Sequence, residues 1–83
     1  MYHVYVLKSV VRSYIYVGMT DCVERRFREH QLGRGRSTAS YRPFELILVE
    51  DYPTRLDARK REKYLKSGVG KEWIKEYIRQ MQK

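Results

Sequence analysis

A single cysteine, Cys22, occurs in the 83 residues. No internal disulfide is therefore possible, and a lone thiol lacks the partners a zinc site needs. A reducing, intracellular setting is expected. No apolar run approaches the ~20 residues that span a bilayer. Met1 leads straight into Tyr2-His3-Val4-Tyr5-Val6-Leu7, with no basic and apolar leader before it. The expectation is a cytoplasmic protein with no membrane partner. Proline (two) and glycine (five) are too sparse for a linker, and no repeat is visible, so residues 1–83 read as one domain. Negative charge is also scarce. Ten Asp and Glu face eighteen Lys and Arg, leaving a formal charge of +8 and a pI near 9.8. Such a field favours polyanions, nucleic acid first among them, although small proteins are also basic for solubility or membrane reasons.

What is present argues for a packed globule. Hydrophobic residues make up 42%, with eight tyrosines among the aromatics, which is too apolar for a disordered chain. Residues 2–8 and 14–18 are β-branched and aromatic and flank Ser9-Val10-Val11-Arg12-Ser13, the pattern of a hairpin whose turn contains no glycine. Alternation places Val4 and Val6 on one side and Tyr5 and Leu7 on the other. Ile15 and Val17 likewise oppose Tyr14 and Tyr16. One sheet face is thus valine-rich and the other tyrosine-rich. Thr20 or Asp21 is placed to cap a helix over 21–31. Residues 33–43 lack periodicity and read as an exposed loop. Phe44–Tyr52 is the most strand-like run, apolar on both faces and expected to be covered on both sides over part of its length. A helix over 54–66 should end before Gly68, and one over 70–81 carries Trp73, Ile74, Tyr77, Ile78 and Met81 as a packing stripe.

Several polar residues fall where core contacts are expected. On the first helix, Val23 and Phe27 share their stripe with Arg26 and His30. On the second, Ala58 and Leu65 bracket Glu62, and a carboxylate there is costly to desolvate unless paired or bound to a cation. The bland alternative rotates the helix so that Glu62 is solvated and pairs with Lys66. Arg26 and His30 have their own plain readings as a snorkelling cation and a packed histidine. A cation, a base and a carboxylate beside Tyr5, Tyr14 and Tyr16 are together what phosphodiester hydrolysis requires. In the loop, Arg34, Arg36 and Arg42 with Ser37 and Thr38 are suited to holding backbone phosphate, and Lys66 adds a further cation. Gly33-Arg34-Gly35 does not sit between a strand and a helix start, so it is no dinucleotide loop.

The order His3-Val4-Tyr5, Tyr16-Val17-Gly18, Glu24-Arg25-Arg26-Phe27-Arg28-Glu29-His30 and Ala58-Arg59-Lys60-Arg61-Glu62-Lys63-Tyr64-Leu65-Lys66 resembles the GIY-YIG nuclease superfamily. It is most similar to small single-domain bacterial members, themselves similar to the nuclease domain of the bacterial excision-repair endonuclease. The resemblance implies an α+β fold, β-β-α-β-α, with a three-stranded antiparallel sheet and a C-terminal helix as an added cover. It implies Tyr5 and Tyr16 as the motif tyrosines, Arg26 as the phosphate-contacting arginine and His30 as its companion. Glu62 would be the single protein ligand of one Mg2+ or Mn2+ ion, with a tyrosine-assisted water as nucleophile. His3 stands where the family name has glycine. The chain also contains no asparagine, whereas many active members carry one near the metal.

The leading expectation is a divalent-metal-dependent endonuclease cutting DNA phosphodiester bonds in repair or processing, structure-selective rather than sequence-specific, as a monomer or weak dimer. The alternative is a non-catalytic module that binds DNA or RNA. A third reading is an adaptor that meets a protein partner through Tyr41, Phe44 or the last helix.

Overall fold

The computed structural model describes residues 1–82. Strand β1 (Tyr2–Ser9) and β2 (Ile15–Thr20) form the expected hairpin. Its turn needs no glycine because Ser9 organises it. The buried Ser9 Oγ accepts from the backbone N–H groups of Val11 and Arg12 and donates to the Tyr41 carbonyl. Helix α1 (Val23–Gln31) follows, then a short 3-10 turn at Ala39–Tyr41, β3 (Phe44–Tyr52), α2 (Arg55–Lys66) and α3 (Gly68–Met81).

The three strands make one antiparallel sheet in the order β2-β1-β3, leaving β2 and β3 as edges. The two faces differ as alternation requires. Val4, Val6 and Val17 meet Ile47 and the helical residues Ala58, Leu65 and Ile74, so α2 and α3 cover the valine face. Tyr5 and Leu7 pack with Phe44, Tyr14, Tyr16, Tyr41 and Phe27, so α1 and the following loop cover the tyrosine face. The fold is α+β: a three-stranded antiparallel sheet between one helix on one side and two on the other.

Helix ends are set by local chemistry. Thr54 Oγ1 accepts from the Asp57 backbone N–H and Ser67 Oγ from that of Gly70, so α2 and α3 each start on a hydroxyl cap. Helix α1 departs from expectation. Its N-cap is Cys22, which makes no side-chain cap bond, because Thr20 spends its hydroxyl one step upstream on the Cys22 N–H. Strand β3 is covered on both sides over part of its length, as expected: Phe44 belongs to the tyrosine-face cluster and Ile47 to the valine-face one, while Leu46 and Val49 stay over a third exposed on this edge. On α3 the buried stripe is narrow. Ile74 is buried, but Trp73 and Met81 face outward, and Trp73 stacks on Tyr77 with centroids 5.4 Å apart.

Candidate active site

The tyrosine face concentrates the polar groups. Tyr5 lies on the central strand and projects under α1, where its hydroxyl is 3.1 Å from His30 Nε2. His30 ends the α1 stripe at 1% exposure. Its Nδ1 is 3.0 Å from Thr38 Oγ1, and Thr38 Oγ1 is itself 3.4 Å from the Gly35 carbonyl. That carbonyl also accepts from the backbone N–H groups of Thr38 and Ala39. Each ring nitrogen of His30 thus faces one hydroxyl, and in the neutral ring one nitrogen donates while the other accepts. The hydrogen-bonded chain runs Tyr5 to His30 to Thr38 to the loop backbone.

Tyr16 closes the group from the edge strand. Its ring centroid is 4.8 Å from that of His30 and 6.1 Å from that of Tyr5. Tyr5 is 1% exposed whereas Tyr16 is half-buried, so Tyr16 is the phenol that solvent reaches. The close tyrosine packing depends on Gly18, opposite Tyr5 in the register. A Cβ there would lie 2.5 Å from the Tyr5 hydroxyl and 2.8 Å from the Tyr16 ring. Only glycine leaves room for both rings.

Arg26, one turn before His30, is half-exposed and is held by Glu29 at 2.9 Å. The charges act on one another. Burial raises the Tyr5 pKa above the ordinary phenol value, the nearby Tyr16 adds to this, and Arg26 opposes it. Burial, then Arg26, depresses the pKa of His30 and favours the neutral ring. The Arg26 pKa is raised, chiefly by its bond to Glu29.

Glu62 stands in the other layer. It is buried between Ala58 and Leu65, as the pattern predicts, and it also pairs with Lys66 at 3.0 Å and Arg59 at 3.6 Å. Glu62 is thus buried rather than solvated, and the Lys66 pair named with the solvated reading forms all the same. Both of its ion pairs are within α2. Its partner Lys66 lines a groove with Tyr16 along the outer edge of β2. Tyr5, Tyr16, Arg26 and His30 share one face, whereas α2, which carries Glu62, packs on the other.

The loop residues divide. Arg34, Arg36, Ser37 and Arg42 are exposed as expected. Thr38 is not. At 1% exposure it is sealed against His30 and is unavailable to phosphate, because the 3-10 turn folds the loop back onto the sheet. Phe44, 3% exposed, sits edge-on to His30, and Tyr41 stacks on Tyr14 at 3.8 Å, so neither offers an open adaptor surface. The roles of Thr38 and Gly18 were missed in sequence. A small residue facing a tyrosine across a hairpin was the one available signal.

Comparison with known proteins gives the family to which this fold belongs. The GIY-YIG catalytic domain profile matches residues 1–77, and the chain belongs to that family, a class of nuclease domains that act on nucleic acid and generally use divalent metals. Within it, the chain is similar to small UPF0213 proteins. A UPF0213 protein of Haloquadratum walsbyi is 39% identical over 67 residues, covering 80% of this chain and 74% of the relative. One from Clostridium perfringens is 34% identical over 67 residues, covering 80% and 71%. The solution structure of a UPF0213 protein from Bacillus halodurans superposes with a TM-score of 0.54 at 30% identity, over 88% of this chain and 80% of that one. Among the described residues no helix is long and apolar enough to cross a membrane.

Proposed function

We propose that residues 1–83 act as a single GIY-YIG domain that hydrolyses DNA phosphodiester bonds in a divalent-metal-dependent way, as a structure-selective endonuclease. The observation that carries this reading is the hydrogen-bonded chain from Tyr5 through His30 to Thr38, with Arg26 and Tyr16 beside it. In this reading His30 carries its proton on Nδ1, facing Thr38, and leaves Nε2 to accept from the Tyr5 phenol.

Tyr16, at the solvent end, meets the attacking water, and the proton passes inward by way of Tyr5 to His30 Nε2. Arg26 lies where negative charge develops on the phosphate. The implied metal must suit the donors present. Among the described residues no group of three or more His, Cys, Asp or Glu comes together. Such donors suit a hard cation that takes one carboxylate and fills its other positions with water and phosphate oxygens better than a tight all-protein cage. Glu62 is the carboxylate that fits, being buried and already flanked by cations that a metal would replace. Once bound, Mg2+ or Mn2+ supplies Lewis-acid charge to the phosphate. Purified protein should nick DNA with either ion and stop on chelation. Absence of nicking across nicked, branched and single-stranded substrates would sink the reading in favour of a binding module.

The Thr38 contact makes its own prediction. Thr38→Val leaves the His30 Nδ1–H without a partner, which costs about 1–3 kcal/mol in a buried site. It should also slow nicking, while Thr38→Ser restores the wild-type rate. His30 is depressed below its ordinary value near 6.5, so the acid limb of the rate profile should lie below that pH. Stability follows the same sign. The unfolded chain protonates His30 first, so stability is fully present above about pH 6.5 and falls as pH drops toward the depressed folded value. Thermal melts across pH 4–8, with His30→Gln as control, read this directly. A midpoint that stays flat through that window excludes it.

A further inference from the structure

The groove on the outer edge of β2 has a volume of about 650 Å3 and is lined in part by Ile15, Val17 and Ile74 at the margin of the valine-face core. One wall is aromatic and polar, formed by Ser13, Tyr14 and Tyr16. The other carries Lys66 from the end of α2 and Lys71 and Lys75 from α3. No Asp or Glu lines it. Lys66 and Lys75 are more than half exposed, pairing with Glu62 and Glu72 at 3.0 and 3.5 Å. Lys71 has no ion pair among the described residues.

Helix spacing makes this a track. Lys71 and Lys75 are one turn apart on α3, and Lys66 precedes them across the α2–α3 junction. Three cations thus run beside a tyrosine wall that ends at Tyr16, within the candidate active site. Cations along one side and phenol rings along the other match a single strand, whose phosphates follow the lysines while its bases lie on the rings. A cleft in the size range of small-molecule sites holds a few nucleotides of one strand and not a double helix. A continuous strand leaving the Tyr16 end would pass Lys66 and then Lys71 and Lys75.

We infer that the β2-edge groove binds an unpaired nucleic-acid strand leading to Tyr16, with Lys66, Lys71 and Lys75 as its phosphate contacts. This rests on the nuclease reading for its direction but not for its chemistry. It makes the preferred substrate one with an unpaired stretch next to the bond that is cut.

The test separates the two claims. Binding of a fluorescent unpaired oligonucleotide and of the matching duplex is measured by anisotropy with the full chain in EDTA, where nothing is cut, over a range of salt. The unpaired strand should bind more tightly than the duplex. Lys71→Gln with Lys75→Gln should weaken it roughly tenfold and flatten the salt slope by about 0.7 for each lysine. Lys60→Gln with Lys63→Gln, exposed on α2 outside the groove, removes the same charge and should do much less. Equal loss in the two double variants, an unchanged slope, tighter binding of duplex, or a dimer that buries the groove would each overturn the inference. Groove-dependent binding without any metal-dependent cutting would retain it and discard the nuclease reading instead.

Discussion

Arg26→Ala is expected to lower metal-dependent nicking by about 10²–10³-fold with little change in thermal stability. A preorganised cation facing developing charge is worth about that much. The same residue contributes little to folding, because its pair with Glu29 is over a third exposed on the arginine side. Glu62→Gln is expected to cost at least as much activity, since it keeps shape but removes the ionised ligand. Strand binding in EDTA should survive both changes within a few-fold. Supercoiled-plasmid nicking under single-turnover conditions, beside melting curves, gives both numbers. A Glu62→Gln protein that cuts at the wild-type rate would remove the metal role assigned to that carboxylate, and a fully active Arg26→Ala protein would remove the phosphate role of Arg26.

The largest stability effect falls on a residue with no side chain. Gly70 lies in the first turn of α3 where it crosses the end of α2, and a Cβ at this position would sit 2.0 Å from the Tyr64 carbonyl oxygen and 2.5 Å from Leu65 Cα. Both are backbone atoms, so no rotamer change relieves the clash and the helices must part. That separation opens the contact of Ile74 with Leu65 in the valine-face core. Gly70→Ala should therefore cost about 3 kcal/mol or more, lowering the melting temperature by roughly 12–24 °C for a domain of this size. Gly68→Ala is the control, because nothing lies within 4 Å of its Cβ position. Equal melting of the two variants would refute the close approach.

Much of the architecture is legible from periodicity. The split of Val4 and Val6 from Tyr5 and Leu7 follows from strand alternation, and the two clusters observed have that composition. Thr54 and Ser67 cap helices as hydroxyls at such positions do. The stripe 23, 26, 27, 30 places Arg26 and His30 against the sheet, and burial of His30 agrees. What periodicity could not show are contacts made by aperiodic segments. Thr38 reads as a loop hydroxyl beside arginines, yet it is the partner of His30, because the 3-10 turn carries it inward. Trp73 falls on the apolar stripe of α3 but lies outside the narrow band that α2 and the sheet cover, with the Arg61 guanidinium 4.8 Å above its ring.

Glu62 shows the same division within one residue. Its spacing from Ala58 and Leu65 predicts burial, and the i+4 relation predicts Lys66 as partner; both are found. Which layer α2 occupies is a different kind of question. A helical repeat states that one face is buried without stating which side of a sheet buries it, so the separation of Glu62 from Arg26 was invisible in the chain.

The amino-acid order by itself determined the positive field, the order of strands and helices, the two-faced sheet and the residue types able to handle a phosphate. Only the tertiary structure decided that four of those residues share the tyrosine face while Glu62 comes from the valine side, that Thr38 is sealed against His30, and that three lysines line the edge of β2. The physical reason is range. Propensity and periodicity act over a few residues, whereas the meeting of one side chain with another depends on how whole layers are stacked.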